Sequence, residues 1–116
     1  MRAAVVHQPG ATPILEQFTD PRPGPGVSVG ALVAAALNPL DVAFVNDQFP
    51  LRRLQPPYIA GYEAVMQLAD GTRWYVTASP SPYGTLAELV PGLPPARAPA
   101  PYPRSRATRP RYPVMP

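Results

Sequence analysis

The chain has 116 residues, 46% hydrophobic and 15% charged, which is material for one small domain with a modest core. It has no cysteine and a single histidine, His7, which excludes disulfides, thiolate nucleophiles, iron–sulfur clusters and His-rich metal sites together. All ten basic residues are arginine, and residues 1–91 are net −2 while 92–116 hold five arginines, no acid and eight of the 20 prolines, so the formal charge of +3 arises from the last 25 residues and does not describe a basic nucleic-acid-binding domain.

The first segment, Ala3 to His7, is a short apolar run ended by Pro9-Gly10 and predicts a strand. No apolar run approaches the ~20 residues of a membrane-spanning helix. The start of the chain lacks the long apolar stretch of a secretory signal, so a cytoplasmic location without membrane contact is expected. Ile14 to Phe18 alternates and predicts a second, weak strand, followed by a rigid loop, Asp20-Pro-Arg-Pro-Gly-Pro-Gly26. Val27 to Ala36 is a long apolar run read as a buried strand. Asn38-Pro39 predicts a helix start, with asparagine as N-cap and proline in the first turn; the helix runs roughly to Asn46 and turns Leu40, Phe44 and Val45 inward.

Asp70-Gly71, set between Ala64–Ala69 and Thr72–Ala78, predicts a hairpin closed by a two-residue type I′ turn. In its second arm Arg73, Tyr75 and Thr77 alternate with Trp74, Val76 and Ala78, the pattern of a half-buried strand. Gly84 to Val90 offers one more strand. Five or six strands with one short helix predict a mainly β fold, a small barrel or open sheet. From Gly92 onward prolines interrupt every helix or central strand, so the expected organisation is a folded domain over 1–91 and a disordered Pro/Arg-rich tail over 92–116.

Four pieces in this order carry a resemblance: Met1-Arg-Ala-Ala-Val5 with the Pro-Gly-Pro-Gly loop after it, Ala34-Ala-Ala-Leu-Asn-Pro-Leu-Asp41, Pro57-Tyr-Ile-Ala-Gly-Tyr-Glu-Ala-Val65, and Gly84-Thr-Leu-Ala-Glu88. Together they resemble the N-terminal GroES-like domain of medium-chain dehydrogenases/reductases, over roughly residues 1–90. The Asn-Pro-x-Asp form without cysteine resembles the zinc-independent quinone oxidoreductase branch. The resemblance implies a partly open β-barrel and an NADPH-dependent hydride transfer to a quinone or enone. It also implies that Asn38 and Asp41 border the substrate and cofactor cleft, with Tyr62 and Glu63 beside them. In zinc-dependent relatives a cysteine and a histidine ligate catalytic zinc where this chain has Asn38 and Tyr62; an amide and a phenol are poor zinc ligands, so no zinc is expected.

The chain departs from the pattern in several places. The usual arginine, glycine and tyrosine downstream of Asp41 read Val45, Asp47 and Phe49, Met66 stands where a glycine is usual, and Val27-Ser-Val-Gly30 replaces a charged strand. No Gly-x-Gly-x-x-Gly occurs, so the cofactor-binding Rossmann domain is missing from these residues, and a truncated oxidoreductase that is inactive alone is expected. Such a domain would leave its interdomain face open to self-association.

Plainer readings stand beside these. Asn38 reads as a helix cap, a role compatible with the cleft. Asp41 and Glu63 read either as a carboxylate pair for acid–base work or as surface partners of Arg52 and Arg53. Tyr58 and Tyr62 read as a stacking site for a quinone or as packing. A different class of function is a non-enzymatic β-domain whose proline- and arginine-rich tail recruits a protein partner; Pro110, Pro113 and Pro116 are three apart, but no arginine falls at the offset an SH3 ligand needs.

Overall fold

The computed structural model describes residues 1–48, 54–77 and 79–94. Within them lie seven strands and one helix: β1 (Arg2–Val6), β2 (Ile14–Gln17), β3 (Ser28–Ala35), α1 (Pro39–Val45), β4 (Tyr58–Ile59), β5 (Glu63–Gln67), β6 (Arg73–Thr77) and β7 (Leu89–Gly92). They form two antiparallel sheets, ordered β2-β1-β4 and β6-β5-β3-β7. No helix is long and apolar enough to cross a membrane among the described residues.

The two sheets are stitched together by residues 84–88. Ala4 N–H donates to Leu86 O at 2.9 Å, Leu86 N–H to Ala60 O at 2.9 Å, Glu88 N–H to Arg2 O at 3.1 Å and Leu32 N–H to Glu88 O at 3.0 Å. Ala3 and Ala87 form an isolated bridge. The result is mainly β, two sheets sharing a seam and open elsewhere, with one short helix; it is not a closed barrel. The seam also explains why the strand expected over Gly84 to Val90 begins only at Leu89. The hydrogen bonds of 84–88 go to β1, β3 and the Ala60 region in turn, which no regular ladder allows.

Packing follows the two periods of the strands. In β1, Ala3 and Val5 join Ile59 and Ala87 in one buried cluster, flanked by Phe18 and Tyr83 with their rings edge to face at 5.8 Å. Val6, Tyr58 and Ala60 form a second cluster under Val45, Leu54 and Leu86. Met66, standing where the resemblance has glycine, fills a third with Val76 and Val90. Each cluster is small, as the length and composition require.

β3 differs from its expected burial. Gly30 is its only buried residue, while Ala31, Val33 and Ala34 are exposed. The register moves from Leu32↔Met66 to Ala34↔Val65, so Val33 is an extra residue without a partner in β5. Such a bulge breaks the alternation and turns consecutive side chains outward, which an unbroken apolar run in the sequence conceals.

The hairpin also differs. The last pair of β5 and β6 is Gln67↔Arg73. Leu68 N–H donates to Thr72 O at 2.8 Å and Gly71 N–H to Leu68 O at 2.9 Å, leaving three loop residues, Ala69, Asp70 and Gly71. A type I′ turn needs positive φ at both central residues; here Gly71 has φ 86° and Asp70 does not have a positive φ. The loop is therefore a turn followed by a glycine bulge, and Asp70 accepts from Thr72 N–H at 2.9 Å. That bond, from a backbone donor to an ionised acceptor, holds the Asp70 carboxyl below its ordinary range.

The expected boundary near residue 91 falls inside β7, which pairs Ser28 with Gly92. The Pro/Arg-rich stretch beyond Pro94 lies outside the described residues.

Candidate functional site

The head of α1 is where three of the four sequence-predicted residues meet. Asn38 is extended, with φ −145° and ψ 171°, and its Oδ1 accepts from Leu40 N–H at 3.0 Å. Asp41 Oδ2 reaches back to accept from Asn38 N–H at 2.9 Å, which completes a capping box. Glu63, the first residue of β5, accepts from Asn38 Nδ2 at 2.9 Å through Oε1. Asn38 is thus fastened at its backbone and at both ends of its amide. One Nδ2 hydrogen is not used by these bonds.

The two carboxylates meet at Asn38. Both bind Asn38, Asp41 through its backbone and Glu63 through its side chain. Asp41 is buried rather than a surface group, and its Oδ1 has no hydrogen-bond partner among the described residues. It borders a cavity of about 300 Å³ between α1 and the loop 10–13, lined by Pro13, Val42, Val45 and Leu86. The expected partners Arg52 and Arg53 lie outside the described residues.

Tyr62 points the other way. Neighbours on a strand-like segment alternate in direction, so Tyr62 packs on Phe44 at 5.7 Å between ring centroids while Glu63 turns toward Asn38. Tyr62 borders a small recess with Leu54, Gly61, Ser79 and Tyr83. Tyr58 is 3% exposed and donates its hydroxyl to Phe44 O at 3.3 Å, so it anchors the C-terminal end of α1 and offers no ring face to a ligand. Burial first, and then the Asp47 charge, push its phenol above the ordinary value.

One residue escaped the sequence reading. The Tyr75 hydroxyl donates to Glu63 Oε2, so the Glu63 carboxylate joins Asn38 on one side to Tyr75 on the other. Tyr75 stands 62% exposed on β6 and walls a groove floored by Ala34, Ala35 and Ala36. Donating to Glu63 raises its phenol above the ordinary value. The signal for it was in the register: Val65 lies opposite Tyr75 and Glu63 opposite Thr77, which makes Glu63 and Tyr75 diagonal neighbours on one face.

Among the described residues no three of His, Cys, Asp and Glu come together in a way that could hold a metal ion. At the positions that would matter most, Asn38 supplies an amide already engaged and Tyr62 a phenol packed at a tilt against Phe44.

Neither a protein-family model nor a curated protein matches the sequence. Solved structures do. The quinone oxidoreductase of Thermus thermophilus, determined alone and in complex with NADPH, superposes with a TM-score of 0.70 and 30% identity over 85% of this chain and 34% of that one. This chain therefore has a GroES-like fold, similar to part of that quinone oxidoreductase. A probable oxidoreductase from Mycobacterium abscessus has the same fold, with a TM-score of 0.70 and 19% identity over 80% of this chain and 32% of that one. The GroES-like domain described here therefore corresponds to about a third of the length of these neighbours.

Proposed function

We propose that this GroES-like domain is the substrate-side half of an NADPH-dependent, zinc-independent oxidoreductase acting on a quinone or enone. The supporting observation is the state of Asn38: it is locked at the head of α1 by Asp41 and Glu63, within a domain 30% identical to a quinone oxidoreductase. An asparagine held at its backbone and at both ends of its amide presents its remaining N–H in a fixed direction. Such a donor suits a carbonyl oxygen on which negative charge develops during reduction, because a preorganised donor needs no reorganisation as the charge appears. NADPH, when bound, supplies the hydride. Nothing in these 116 residues supplies the glycine-rich turn that cradles the cofactor's phosphates, so no step through the cofactor is assigned to them.

Asn38 and Asp41 are the cleft residues in this reading, with Glu63 orienting Asn38 and Tyr62 forming the neighbouring wall. Zinc has no role, since an engaged amide and a phenol packed on Phe44 stand in place of the thiolate and imidazole it requires. The 116-residue chain is inactive by itself, because hydride transfer needs donor and acceptor fixed within about 3–3.5 Å of each other. Exposed Leu37 and Val42, which border the same cavities at α1, are the apolar surface through which the domain associates with itself or with a cofactor-binding unit.

The test is a titration of the labelled full chain with 9,10-phenanthrenequinone followed by NMR, together with an NADPH oxidation assay. Shifts centred on Asn38, Tyr62 and Glu63, with NADPH oxidation at background, are expected. Shifts that leave these residues untouched would remove the cleft assignment. Saturable NADPH oxidation lost in Asn38→Ala would overturn the expected inactivity.

A further inference from the structure

Tyr75 belongs to no motif of the resemblance, yet it makes the hydrogen bond that ends the chain Asn38–Glu63–Tyr75. A glutamate on an outward strand face has three side-chain torsions and a carboxylate that can present either oxygen. Here both oxygens are engaged, Oε1 with Asn38 Nδ2 and Oε2 with the Tyr75 hydroxyl. The phenol reaches Glu63 diagonally across the β5–β6 ladder, a span open to a long, uncharged side chain with a terminal donor. Bonds to an ionised acceptor are among the stronger ones, so each partner of Glu63 restricts what the carboxylate offers the other.

We propose that Tyr75 is a positioning residue for the Asn38 amide. By fixing the Glu63 carboxylate it keeps Asn38 Nδ2 turned to Glu63 and Oδ1 turned to Leu40 N–H, which leaves one Nδ2 hydrogen in a set direction for a ligand. The polarity of the site toward its ligand, a donor for a carbonyl oxygen, is then set from β6, a strand on the far side of β5. This deepens the reading of Asn38 as a cleft residue and rests on it for its functional meaning, though the coupling itself does not.

The experiment follows the Asn38 side-chain amide by NMR in the isotope-labelled full chain, with the resonance assigned by its loss in Asn38→Ala. In Tyr75→Phe, which keeps the ring and removes the hydroxyl, the Asn38 amide protons move upfield. Their exchange with water rises about two- to tenfold, the range that corresponds to the net value of a single hydrogen bond. Thr77→Ala, on the same exposed face of β6, leaves both unchanged. Asn38 signals in Tyr75→Phe that match those in Thr77→Ala overturn the proposal. A second variant covers the case of a poorly folded Tyr75→Phe: Glu63→Gln returns the Tyr75 phenol toward its ordinary value of 10.0 and gives the same upfield movement at Asn38. Unchanged Tyr75 titration in Glu63→Gln overturns the proposal independently. None of these readouts involves a quinone or NADPH, so a failure of ligand binding removes the functional reading while leaving this coupling in place.

Discussion

Gly84 lies against Ala60 so closely that a β-carbon on it would stand 2.5 Å from the Ala60 carbonyl oxygen, and the Ile59 carbonyl oxygen would be nearer still. Both neighbours are backbone, at the seam where residues 84–88 leave β4 and approach β1. A flexible side chain would yield to an added methyl group; two carbonyls of a paired segment do not.

Gly84→Ala is therefore expected to lower the stability of the domain by about 3 kcal/mol, the upper part of the overpacking range. Gly24→Ala is the control, since nothing lies within 4 Å of the added carbon. Urea denaturation of the two variants checks the contrast, and equal midpoints would mean that the seam relaxes freely.

Asn38 separates its capping role from its link to Glu63 by substitution. Asn38→Ala loses both and should cost about 1–2 kcal/mol, the range for helix caps in proteins. Asn38→Ser keeps a cap oxygen for Leu40 N–H but has no side-chain nitrogen for Glu63. It should recover most of the stability while abolishing the response of this site to Tyr75→Phe. Thermal unfolding combined with NMR of the Tyr75 ring distinguishes the two losses.

Gly71 occupies the left-handed region at φ 86° with open space around it, so any cost of a side chain there is conformational. Gly71→Ala is expected to cost about 1–2 kcal/mol. Gly71→Asn should cost less, because asparagine tolerates that region. A loss for alanine no greater than for asparagine would contradict the bulged turn.

Glu88, like Asp70, contributes to the acid dependence that exposed groups supply. Its Oε1 accepts from Arg2 N–H at 2.6 Å and from Arg2 Nε at 3.3 Å, and chiefly the backbone bond lowers its carboxyl below the ordinary 4.5. A depressed folded value stabilises above the unfolded value and is lost as pH falls through the folded one. The contribution is thus full above about pH 4.5 and disappears below it. Glu88→Gln should flatten the acid limb of the stability curve and leave the neutral limb nearly parallel. A Glu88 titration midpoint at 4.5 in the wild type would contradict the assignment.

Much of this protein was legible as sequence. Most strand positions, the Asn38-Pro39 helix start and the alternation of Arg73, Tyr75 and Thr77 with Trp74 and Val76 follow from local rules, in which side-chain alternation, a cap oxygen and a proline's fixed φ act within a few residues. The order of motifs carried the GroES-like resemblance, and the capping role of Asn38 was explicit in the residues themselves.

The tertiary structure alone decided which faces meet. A two-residue turn at Asp70-Gly71 would have set Tyr75 opposite Met66, on the buried face; the bulged three-residue loop sets it opposite Val65, on the face of Glu63. A slip of one residue exchanges the two faces of a strand, and the choice between these loops depends on how β5 and β6 pack, which Asp-Gly alone does not specify. The bulge at Val33 and the winding of residues 84–88 between two sheets are of the same kind. Each is set by hydrogen bonds between segments distant in the chain, and local periodicity carries no record of those partners.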